Sequence, residues 1–180
     1  MSGSAGRGRR GRSAVLEVHR EAGPPRMTVV VHNGQWVCDL EVAVGRDGGV
    51  IRHVDDWFLQ VSHPPASGEW WLFDRGGALR ATVSRNRPVG ERFHIEVDGT
   101  AFDVAPMARW WRRRWRVCDA EERTVVEARQ RLFARPVHEL WVRSGDLPPE
   151  LVWVVAWLLA ERTTRGLRPT RRPRWGVPSP

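Results

Sequence analysis

The amino-acid sequence predicts a mainly β fold: an antiparallel meander of about ten to twelve strands, closed into a barrel around one hydrophobic helix near the C-terminus. Three observations lead there. From Met27 to Arg143, short β-prone runs alternate with turn signals. Within those runs apolar and polar residues alternate, so one face is wet and the other buried. The only long apolar run, Leu151–Ala160 (LVWVVAWLLA), is apolar all round and requires burial on every side, which a wrapping of strands supplies. Closure also removes the exposed edges that a single sheet of this many strands would leave.

The elements follow in order. Residues 1–26 are mostly Gly, Ser, Ala and Arg and end at Pro24-Pro25, a composition too poor in apolar surface to fold, read as a disordered basic arm. Strand runs then begin: MTVVV before Asn33-Gly34, WVCDLEVAV before Asp47-Gly48-Gly49, VIRHVDDWFLQV before Pro64-Pro65, and EWWLFD before Gly76-Gly77. ALRATVS runs to Pro88 and Gly90, RFHIEV to Asp98-Gly99, and TAFDVA to Pro106. RWRVCD, a turn at Ala120 to Glu122, TVVEARQR, a break at Pro136 and VHELWVR complete the set. In RFHIEV, Phe93, Ile95 and Val97 share one face and Arg92, His94 and Glu96 the other; Trp115 with Val117 repeats the arrangement. The pairs Gly48-Gly49 and Gly76-Gly77 read as hairpin positions that need positive φ.

A helix is expected over 147–165, with Asp146 as N-cap or accepting from the first free amides, Pro148 and Pro149 in the first turn, and Glu150 at the positive end of the dipole. Arg162 and Arg165 suit its last turn and Gly166 its C′ position. Ten apolar residues span about 15 Å, half of a ~30 Å bilayer core, so the run is a core helix and not a transmembrane span. Residues 167–180 read as a disordered Arg/Pro tail, leaving one folded unit over 27–166.

Composition sets the function classes. The net charge is +8 and all 29 basic residues are arginine, so partners are expected to be anionic: guanidinium groups hold phosphate and carboxylate bidentately and stack on rings. The eleven tryptophans, with no tyrosine, suit a core, base stacking or a lipid interface alike. Cys38 and Cys118 lie far apart with no Cys/His cluster, against both a disulfide scaffold and a metal site. The N-terminus has charge but no apolar h-region, so a cytoplasmic protein, peripheral at most to a membrane, is expected.

A weak internal repeat runs through EWWLFDRGGALRATVSR, RFHIEVDGTAFDV and RWRVCDAEERTVVEARQ: apolar strand, Asp-containing turn, then apolar strand ending near arginine. In this pattern order, from Met27 to Gly166, the chain resembles the tubby-like superfamily, in particular its scramblase-like and LURP-one-related branch. The resemblance implies a twelve-stranded antiparallel barrel around a central C-terminal helix, and a non-enzymatic protein acting at membranes or on lipids. The chain lacks a calcium loop and a palmitoylated cysteine cluster, so scrambling is not carried over.

The sharpest local feature is RWWRRRWR, in which Arg109, Arg112, Arg113, Arg114 and Arg116 supply charge and Trp110 and Trp111 flat faces for a headgroup layer or for bases. A twisted amphipathic strand with Trp115 inward reads the same way. The tail adds Arg165, Arg168, Arg171, Arg172 and Arg174. His53 with Asp55 and Asp56, and His94 with Glu96, are pairs at strand spacing, and no GxSxG, HExxH, Walker or GxGxxG pattern occurs, so no catalytic residue and no cofactor or metal is expected. The expected function is binding of anionic phospholipid at a membrane surface; nucleic-acid binding by the same cluster, and a protein-interaction scaffold, are the alternatives.

Overall fold

A computed structural model describes residues 14–20, 26–31, 35–42, 48–53, 58–62, 69–85, 92–107, 114–131 and 138–166. The strands are β1 (Ala14–Arg20), β2 (Arg26–Val31), β3 (Trp36–Val42), β4 (Gly48–His53), β5 (Phe58–Ser62), β6 (Glu69–Phe73), β7 (Leu79–Arg85), β8 (Phe93–Val97), β9 (Thr100–Met107), β10 (Arg114–Cys118), β11 (Thr124–Gln130) and β12 (His138–Val142). One helix, α1 (Pro149–Gly166), follows. Each strand pairs antiparallel with its sequence neighbours, and β1 pairs with β12 on one side and β2 on the other, so the order returns on itself as a closed barrel.

Turn chemistry sets the hairpins. Asp98 and Gly99 both have positive φ, 46° and 78°, the geometry of a two-residue type I′ turn whose twist matches its strands. At the β10–β11 turn, Asp119 Oδ1 accepts from the backbone N–H of Glu121 at 3.1 Å and of Arg123 at 2.9 Å. Glu122 there takes the left-handed conformation at φ 60°.

Three expectations are corrected. The basic arm does not run to residue 26: Val15–Val18 alternates like the other strands, Leu16 and Val18 are buried, and β1 closes the ring between β2 and β12. VIRHVDDWFLQV is two strands, β4 and β5, paired antiparallel with Ile51 opposite Leu59. Gly48 and Gly49 stand inside β4 and not in a turn, and of the pair Gly76-Gly77 it is Gly77 that has the expected positive φ, 79°, while Gly76 does not. What Gly49 supplies is close approach: a Cβ there would run into the Glu41 carbonyl oxygen and lie 2.6 Å from Trp157 Nε1. Gly49→Ala is therefore expected to cost at least the roughly 1–3 kcal/mol of an overpacked core, read as a lower urea midpoint at unchanged m.

The inner rungs are apolar: Phe93, Val104, Val117 and Val126 stand in cross-strand succession and all are buried. Every residue from Leu151 to Ala160 is buried, as the all-round apolar run predicts. Strands from around the ring reach the helix. His53 of β4 packs tilted at 5.1 Å against Trp153, Trp70 of β6 meets Trp157 edge-on at 6.4 Å, and Phe93 of β8 lies 5.1 Å beneath the Arg162 guanidinium. Leu151 N–H donates to the Pro148 carbonyl at 3.0 Å and the helix begins at Pro149, so Asp146 lies upstream of the first turn instead of capping it. Pro149 at the first position needs no N–H partner. The helix runs through Gly166, one residue beyond the expected end.

One polar side chain crosses this core. His138 of β12, 1% exposed, packs edge-on against Trp115 at 6.4 Å and hydrogen-bonds with the Leu159 backbone of α1. Burial pulls its pKa from 6.5 down to about 4, against the opposing effect of that hydrogen bond. Among the described residues, no helix is long and apolar enough to cross a membrane.

Candidate anion-binding face

Alternation along β10 decides which part of the Arg/Trp cluster faces out. Trp115 and Val117 point inward and are buried, which leaves Arg114 and Arg116 exposed on the outer wall. On β11 the same alternation buries Val126 and Ala128 and turns Glu127 and Arg129 outward. Register then brings the basic groups together: Arg114 stands opposite Arg129, Arg116 opposite Glu127, and Arg129 opposite Glu139 of β12. A bulge between Val117 and Cys118 fixes that register at the hairpin end.

The neighbouring carboxylates are taken by other arginines. Arg143 donates to Glu127 Oε2 at 3.2 Å, and Arg131 meets Glu139 Oε1 at 2.6 Å. Among the described residues, Arg114, Arg116 and Arg129 therefore form no ion pair. Like charges directly opposite across a ladder are destabilising, so Arg114 and Arg129 face each other at a cost the fold itself does not require. On the far side of Arg114 its cross-strand partner is Met107, 40% exposed, which sets an apolar tip beside the two cations.

Arg109, Trp110, Trp111, Arg112 and Arg113 lie outside the described residues; in the chain they link Met107 to Arg114. The tail arginines beyond Gly166 lie outside them too. Arg129 and Arg92 are the residues that motif reading passed over. Each sits in an ordinary alternating run; cross-strand register brings Arg129 opposite Arg114, and Arg92 shares a pocket lining with Arg116.

Around the corner of this wall, a pocket of about 210 Å³ is lined by Arg92, Asp103, Ala105, Arg116, Asp119 and Glu122, among others. His94 bonds through Nδ1 to Asp103 Oδ1 at 3.0 Å, so its partner is the cross-strand carboxylate and not Glu96 on its own strand. Desolvation pushes the Asp119 carboxyl up, but the backbone N–H and guanidinium of Arg123 outweigh it and hold the group below the usual range. Arg123 is raised in turn, chiefly by its hydrogen bond to Asp119. Cys38 is buried and its thiol pushed up to about 12 by desolvation and then by Asp39, so it is no thiolate nucleophile at neutral pH. Among the described residues no group of His, Cys, Asp and Glu is placed to hold a metal ion.

No family model matches the sequence and no curated protein matches it. An X-ray structure of an Arabidopsis thaliana protein is similar to the chain, with a TM-score of 0.61 at 14% identity over 85% of this chain and 92% of that one. At that identity the likeness concerns the fold alone.

Proposed function

We propose that the protein is a non-enzymatic, tubby-like barrel that binds anionic phospholipid from the cytoplasmic side of a membrane through the outer wall of β9, β10 and β11. The observation that carries this reading is the facing pair Arg114 and Arg129, which form no ion pair among the described residues and are flanked by exposed Met107. Two guanidiniums on one rung pair with lipid phosphates, and the thioether beside them enters the apolar side of the headgroup layer. In the sequence Arg109, Arg112 and Arg113, with Trp110 and Trp111, link β9 to β10 and belong to the same proposed contact, and Arg116 adds charge on β10.

Co-sedimentation of the 180-residue protein with vesicles tests this. Binding is expected to require anionic lipid and to fall as salt rises. Replacing Arg114 and Arg129 with Ala removes about 1 kcal/mol of attraction per arginine, so the double variant is expected to bind roughly 30-fold more weakly. Because the substitution also relieves like-charge repulsion, its stability is expected to hold or rise, which separates lost binding from misfolding. Unchanged binding sinks the assignment. Complete displacement of the wild-type protein by single-stranded DNA moves the face to nucleic acid.

A further inference from the structure

We propose that the outer groove between Arg92 and Arg116 is a bipolar subsite for a small phosphate ester whose far end carries an ammonium or hydroxyl group. This rests on the reading of the adjoining wall as an anion-binding face, and names a chemistry that the wall alone does not. The groove exists because of one small residue. Ala105 stands opposite Arg116 across the β9–β10 ladder, and the register of β8 on β9, with Phe93 opposite Val104, carries Arg92 alongside it on the other flank. A methyl between two long side chains leaves the hollow of about 210 Å³ that these residues line. That is below the roughly 300–1,000 Å³ of pockets for drug-sized ligands, so the occupant is a headgroup and not a larger molecule.

The two ends differ in chemistry. At one, Arg92 and Arg116 are exposed and, among the described residues, form no ion pair, so two guanidinium forks are open to a phosphate. At the other stand Asp103, Asp119 and Glu122. Asp119 is saturated by Arg123, at 2.8 Å and 2.7 Å to Oδ2 and by the turn amides to Oδ1. Asp103 is engaged by His94 through Oδ1 alone, which leaves Oδ2 to accept from a ligand. A bare phosphate would be repelled from that end. An ester that turns an ammonium or hydroxyl toward it would be held at both.

Isothermal titration of the 180-residue protein with O-phosphoethanolamine, inorganic phosphate and ethanolamine tests the subsite. O-phosphoethanolamine is expected to bind saturably and about fivefold more tightly than inorganic phosphate, the worth of one net hydrogen bond, with no detectable binding of ethanolamine. Ala105→Trp fills the hollow from the solvent side without changing charge, and is expected to lose O-phosphoethanolamine binding. Arg92→Ala, which needs no new volume, is expected to weaken O-phosphoethanolamine about tenfold, and Asp103→Asn to erase its advantage over inorganic phosphate. Absence of saturable binding, equal affinity for the two phosphates, or indifference to both Ala105→Trp and Arg92→Ala overturns the subsite. Vesicle binding that persists through such a result leaves the reading of the wall standing, whereas loss of vesicle binding alone condemns the wall and not the groove. Displacement of the bound protein from vesicles by O-phosphoethanolamine assigns the subsite to a lipid headgroup; saturable binding without displacement assigns it to a soluble ester.

Discussion

Replacing Trp157 with Ala is expected to lower the unfolding free energy by about 3–5 kcal/mol, the range for removing a large aromatic from a close-packed core. Trp157 is fully buried on α1 and meets two strands of the barrel: Trp70 of β6 lies edge-on to it, and Gly49 of β4 lacks a side chain where its Nε1 lies. Those walls belong to paired strands, which cannot collapse into the space as a free helix would, so the cost should fall at the upper end. Since domains are typically only about 5–15 kcal/mol stable, the loss is a large share of the total. Urea unfolding followed by far-UV circular dichroism reads it directly. A change below about 1 kcal/mol would mean that the ring does not grip the helix at this point.

Acidification is the second large lever. His138 titrates near 4 in the folded protein against an ordinary value of 6.5, so as pH falls the unfolded chain takes up the proton first. Stability tied to neutral His138 is complete above about pH 6.5 and is lost progressively down to pH 4, in total about 3 kcal/mol at 1.36 kcal/mol per unit. The side chain is almost wholly enclosed, so solvent screening does little to reduce that figure. His138→Phe removes the hydrogen bond to the Leu159 backbone and should cost about 1–3 kcal/mol at pH 7. Between pH 6.5 and 4 the variant should lose less further stability than the wild type. Parallel stability curves for the two proteins across that window would show that His138 is not the group responsible.

What the sequence discloses and what it hides divide along a physical line. The helix was legible because no solvent-facing stripe interrupts Leu151–Ala160, and the β8–β9 hairpin because Asp98-Gly99 can adopt two successive positive φ values. β1 was not, because its inward pair, Leu16 and Val18, is too short a pattern to stand out among flanking Gly and Arg; pairing with β12, more than a hundred residues away, is what makes it a strand. VIRHVDDWFLQV reads as one strand because no Gly or Pro punctuates it. For the site, arginine identity and the outward direction of Arg114 and Arg116 follow from local alternation. That Arg114 faces Arg129, and that Glu127 and Glu139 are claimed by Arg143 and Arg131, depends on register and bulges between distant strands.

The order of elements along the chain has a kinetic consequence. Among the described residues, the helix that fills the barrel comes after the twelve strands, and the ring is sealed by pairing β1 with β12. On a ribosome the walls therefore emerge before their filling, and the inward faces of the early hairpins have nothing to pack on until Leu151–Ala160 is released. Contacts this distant in sequence form slowly, and apolar surface left waiting is prone to aggregate. Refolding should accordingly be slow and sharply dependent on protein concentration, and synthesis in the cell should lean on chaperones that hold unfilled sheets apart until the last segment arrives.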